Sequence, residues 1–105
     1  MSPIYSTYAD DEMMCELIEM FVDEIPDRID TLRSAYEAND RESLKRTAHQ
    51  LKGAFGSYGF GCMTEPARDL EQSAGDESCP LERIEACLNI LISESERLSA
   101  GQPQQ

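Results

Sequence analysis

The chain has 105 residues, enough for a single domain, with 40% hydrophobic residues and no Trp. Nine Lys and Arg against 21 Asp and Glu leave a formal net charge of −12. That balance argues against nucleic acid, where affinity comes from neutralising phosphates, and against anionic membrane surfaces. No apolar run approaches the ~20 residues of a bilayer span, and Met1–Tyr5 has no signal-peptide pattern. Cys15, Cys62, Cys79 and Cys87 form no Cys-x-x-Cys pair, and there is one histidine. A zinc site is therefore not expected, nor is a disulfide framework. The expected setting is cytoplasmic, with four reduced thiols and no metal or cofactor.

Along the chain the pattern is helical throughout. Residues 1–10 read as an N-terminal extension, 11–100 as the folded domain and 101–105 as a polar, disordered tail. Met14, Ile18, Phe21, Ile25, Ile29, Leu32 and Tyr36 step by three or four residues, the spacing of one helix face. The phase holds across Pro26, so the expectation is one long helix from about Asp11 to Ala38, kinked at the proline. The competing reading starts a new helix at Pro26. Asn39-Asp40 ends this segment, and Asp40 caps the next.

A second helix is expected from Arg41 to about Ser57, with Leu44, Ala48, Leu51 and Phe55 facing the core. Gly59 suits a left-handed cap after it. Phe60, Met63, Ala67, Leu70 and Ala74 make a third stripe, kinked at Pro66 or beginning near Thr64. Gly75–Ser78 is a turn, and Pro80 opens a last helix with Leu81, Ile84, Leu88, Leu91 and Leu98 on its apolar face. No strand-like alternation is visible. Four amphipathic helices with short connections predict an all-α, antiparallel four-helix bundle.

One face of the second helix calls for a functional account. At ~100° per residue, His49 points ~130° away from the core stripe. Lys45 lies four residues before it and Lys52 three after, so both can flank the imidazole. Gly53 and Gly56 follow on the same side, although each mid-helix glycine costs ~1 kcal/mol relative to Ala. Between Ser43 and Thr64 there is no acidic residue. The only histidine thus sits in the only basic window of the chain. A lone exposed histidine is most often an ordinary surface residue, and glycines also serve close helix packing. The combination nevertheless describes a nucleophilic imidazole, cations for an anionic group on the ring, and space for another protein.

His49-Gln50-Leu51-Lys52-Gly53, with Ala48 before and Gly59 after, resembles the signature of histidine-containing phosphotransfer domains. Phe21, Pro26 and Asp40 extend the likeness, which covers roughly residues 12–75. The resemblance implies a four-helix bundle whose histidine takes phosphate from a receiver-domain aspartate or a kinase and passes it on. It makes His49 the phosphorylated residue, Lys52 the cation beside the phosphoryl group, and Gly53 the gap that admits the receiver. Leu51 becomes core and Gly59 the turn out of the helix, while Phe55 and Pro66 depart from the family pattern. There is no P-loop and no acidic cluster near His49, so Mg²⁺ and most catalytic groups are expected from the partner. The implied partners are response-regulator receiver domains and sensor histidine kinases, with the chain itself a monomer. Two alternatives remain: a silent adaptor bundle, and a kinase dimerisation segment, which would need an ATP-binding domain not found in these 105 residues. Met1 favours a free-standing chain.

Overall fold

The protein is described by a computed structural model covering residues 3–100. The disordered tail expected at 101–105 lies outside the described residues. In chain order the elements are β1 (Ile4–Tyr5), α1 (Glu12–Glu37), α2 (Arg41–Ser57), a 3-10 turn at Gly61–Met63, α3 (Thr64–Gly75), α4 (Leu81–Ser95) and β2 (Leu98–Ser99).

Asp11 starts α1 by accepting a hydrogen bond from the Met13 N–H at 2.9 Å, which satisfies one of the open donors at a helix start. The helix then runs without a break through Pro26, so the reading of a new helix at that residue is overturned. Pro26 cannot donate to the Val22 carbonyl, but burial of Ile18, Phe21, Ile25, Ile29 and Leu32 on both sides of it holds the segment in one phase. Asn39 takes a left-handed conformation, φ 57°. This lets the Asp40 N–H reach back to the Ala35 carbonyl at 2.8 Å and the Asn39 N–H to Tyr36 at 3.0 Å, closing the helix end. Asp40 then caps α2 with its carboxylate, accepting from the Ser43 N–H at 3.0 Å and hydroxyl at 2.7 Å. Both bonds hold its carboxyl below the ordinary range.

One core collects the apolar faces of all four helices. Phe21 is its aromatic hub. It stacks on Tyr58 at 4.7 Å, meets Phe55 edge-on at 5.7 Å and lies tilted against Phe60 at 6.1 Å, arrangements that aromatic quadrupoles favour. Phe55 is fully buried, so its bulk is taken up by packing. The stripe expected for the third helix, Phe60, Met63, Ala67, Leu70 and Ala74, is buried throughout, although Phe60 and Met63 lie before α3, in and beside the 3-10 turn. The helix begins at Thr64, which puts Pro66 in the first turn, where its missing N–H leaves nothing unpaired.

Two expectations at the C-terminal end are corrected. Leu81 is 45% exposed, because it stands on the outer side of the first turn. Leu98 lies beyond α4, which ends at Ser95; the inner face is completed by Ile92 and Ser95. Leu98 instead pairs in parallel with Ile4, and Ser99 with Tyr5. Pairings of two residues carry too little alternation to be read from a sequence. The four cysteines are unpaired.

Residues 3–10 pack on the bundle. The buried Ser6 donates its hydroxyl to the Tyr58 carbonyl at 2.6 Å, and the Thr7 N–H donates to the Gly59 carbonyl at 2.9 Å. Gly59 has φ +83° and carries the Phe60 N–H back to the Phe55 carbonyl at 2.8 Å. A Cβ there would strike the Ser6 hydroxyl and approach Tyr8 to 2.8 Å. Gly59→Ala should therefore lower stability by about 1–3 kcal/mol from the left-handed backbone alone, read as the midpoint of urea unfolding. Gly61→Ala, at a site open to solvent, is the control, and equal midpoints would contradict the account.

Candidate functional site

The rotation of α2 about its axis is set by what it buries. Leu44, Ala48, Leu51 and Phe55 are each at most 2% exposed, and this leaves the His49 side chain 66% exposed. Gly53 and Gly56 lie open on the same helix, with no atom beyond the adjoining helix backbone and chain neighbours within 4 Å of where a Cβ would stand. Their side of α2 is a smooth strip of backbone beside the ring.

The basic window is partly drawn into structure, while Lys45 and Arg46 stay exposed. Arg41 is spent on structure, its guanidinium donating to the carbonyls of Asp76 and Cys79 at 2.9 and 2.8 Å. Lys45 lies over the end of α3, where a Cβ at Gly75 would meet its stem at 3.3 Å. An acid also arrives from α3. Glu71 presents one carboxylate oxygen to His49 Nδ1 and the other to Lys52 Nζ, both at 2.7 Å. The stretch free of acids in the chain is therefore not free of them in space.

Glu71 is only 16% exposed at its side chain. The Lys52 ammonium holds its carboxyl below the usual range; partial burial opposes this, and the imidazole adds a smaller pull in the same direction. An ionised carboxylate can only accept hydrogen bonds. The neutral ring must then carry its proton on Nδ1, leaving the lone pair on Nε2. What the site offers is a nucleophilic nitrogen in the open, oriented from behind, with an ammonium three residues along. Among the described residues no group of three or more His, Cys, Asp and Glu side chains is gathered as a metal ion would need.

Glu71 was not legible as a partner of His49, since 22 residues separate them. The available signal was its place one residue after Leu70, at the edge of the α3 stripe. A row of exposed apolar side chains on α1 also went unread: Met13, Leu17 and Met20 are 86%, 45% and 57% exposed and repeat on one helix face.

A helical bundle with an outward imidazole, backed by a carboxylate and bordered by glycines, defines a class of surface nucleophile sites. The family model for the Hpt domain matches residues 16–100, and the chain belongs to that family. Hpt domains are the phosphocarrier modules of two-component phosphorelays. Neither curated proteins nor solved structures gave a match. No helix among the described residues is long and apolar enough to cross a membrane.

Because folding depresses the Glu71 pKa, its ionisation contributes stability that is fully present above the unfolded value, ~4.3. That contribution is lost as pH falls through the lower folded value. Glu71→Gln should thus melt below the parent at neutral pH, and the two melting temperatures should converge in acid. A gap of constant size down to about pH 3 would assign the effect to shape and not to charge.

Proposed function

We propose that His49 is the phosphorylated residue of this Hpt domain. It takes a phosphoryl group from a receiver-domain aspartate or a histidine kinase and passes it to another receiver. The observation that carries the reading is the Nδ1 contact with Glu71, which leaves Nε2 free and facing solvent. Lys52 is the cation for the arriving phosphoryl group, since its ammonium lies at the same carboxylate and has donors to spare. Mg²⁺ and the groups that hold it belong to the partner. The chain is read as a cytoplasmic monomer with an antiparallel order of helices and a bend at Pro26. Contacts of Lys45 with the Gly75 region and of His49 with Glu71 support that order, because they advance along α2 while retreating along α3.

Gly53 and Gly56 provide clearance for the partner, and the exposed Met13, Leu17 and Met20 are apolar area for it to cover. A silent adaptor would have no use for an oriented nucleophile. Incubation with a ³²P-phosphorylated receiver domain should label the parent with acid-labile phosphate. His49→Gln should fold normally, since the side chain is mostly exposed, and should take no label. Label on that variant, or acid-stable label on the parent, would sink the assignment.

The glycine separates docking from stability. Nothing beyond the adjoining helix backbone and chain neighbours stands within 4 Å of a Cβ at Gly53, so Gly53→Ala should raise stability by up to ~1 kcal/mol. Transfer should fall nonetheless, and fall further for Gly53→Gln. Transfer by Gly53→Gln at the parent's rate would show that the receiver does not approach over this strip.

A further inference from the structure

We propose that Arg68 is the residue through which α3 selects the receiver: its guanidinium reaches over the glycine strip of α2 and pairs with a carboxylate at the rim of the partner's phosphate pocket. The inference rests on the phosphocarrier reading above and adds the chemistry that the partner must present. Lys45 meets the Gly75 end of α3, while His49 and Lys52 meet Glu71. These contacts advance along α2 as they retreat along α3. Arg68 lies three residues before Glu71 on the same side of α3. It therefore stands ~4.5 Å further along, at the level of Lys52 and Gly53. Gly53 and Gly56 have no side chains, so a polar group above the strip must come from a neighbouring helix. Arg68 is exposed there, and its long planar fork suits the task.

The guanidinium is held in reserve. Arg41 is bound to two carbonyls and Lys52 to Glu71, whereas Arg68 makes no ion pair or side-chain hydrogen bond among the described residues. Two acids stand within one helical turn of it. Glu71 has both oxygens occupied by His49 and Lys52, and Glu65 is exposed and takes no bond from it. In a chain of net charge −12, an unspent cation beside the open nucleophile is a strong local contrast. A receiver brings carboxylates to this place: the aspartate that exchanges the phosphoryl group, and the oxygen ligands of Mg²⁺. An arginine meets a carboxylate through two parallel hydrogen bonds, which fixes orientation as well as attraction. A receiver with Lys or Arg at the facing position would be repelled, so Arg68 discriminates by exclusion too.

The test measures binding apart from transfer. One purified receiver domain that binds the unphosphorylated parent is titrated with parent and variants at about 50 mM and about 300 mM salt. Arg68→Ala should weaken binding about fivefold at low salt, the scale of one exposed ion pair, and the gap should close at high salt. Arg68→Glu should weaken it further, while Arg68→Lys should recover part of the loss. All three should melt with the parent, because the side chain is exposed. Phosphate transfer at saturating receiver should also match the parent, so that the effect lies in KM and not in kcat. Arg83→Ala removes the same unit charge from the exposed side of α4 and should bind as the parent does. Binding by Arg68→Glu within about twofold of the parent would overturn the proposal. An equal loss in Arg83→Ala would also overturn it, since only the general field would then matter. So would normal binding by Arg68→Ala with slower transfer at saturation, which would place the guanidinium on the phosphoryl group instead. Binding that depends on Arg68 in a parent that accepts no phosphate would fail the phosphocarrier reading and leave the docking contact standing.

Discussion

The angular setting of α2 is the constraint on which the rest depends. Leu44, Ala48, Leu51 and Phe55 are buried to within 2%, and burial of four such side chains is worth several kcal/mol. Turning the helix enough to hide His49 would bring that stripe to water. The exposure of the imidazole thus follows from core packing, and the ring needs no loop to present it. A site on a helix interior moves little, which suits transfer between positioned atoms.

What α2 cannot do is orient the ring. That comes from α3, whose Leu70 and Ala74 are buried while Glu71 rides at the edge of the interface. One carboxylate spans two side chains of the neighbouring helix, so the chemistry of the nitrogen depends on how two helices are docked. The same packing that hides Ala67 and Ala48 sets the short contact at Nδ1. Small residues at a helix interface let the axes approach closely.

The helices, most of their ends and the outward histidine could be read from the sequence, because periodicity, caps and glycine preferences act within a few residues. Asp40 and Gly59 declared themselves in this way. The Glu71 contact, the use of Arg41 on the α3–α4 turn and the pairing of Ile4 with Leu98 could not. Each depends on the register between segments far apart in the chain, to which a helical pattern is indifferent. Charge counting along the chain missed Glu71 for the same reason: a window of sequence has no knowledge of the helix that will lie across it. Leu98 misled because its spacing fitted a helix that had already ended.

The parallel pairing of β1 with β2 has a mechanical meaning. Its two strands point the same way, so tension drawn through the segments before Ile4 and after Ser99 runs along the ladder in opposite directions. The hydrogen bonds, including that from the Ile4 N–H to the Arg97 carbonyl at 2.7 Å, are then loaded together in shear and are not peeled one by one. A pull on the two ends of the described chain would be met first by this short clasp and only afterwards by the helices.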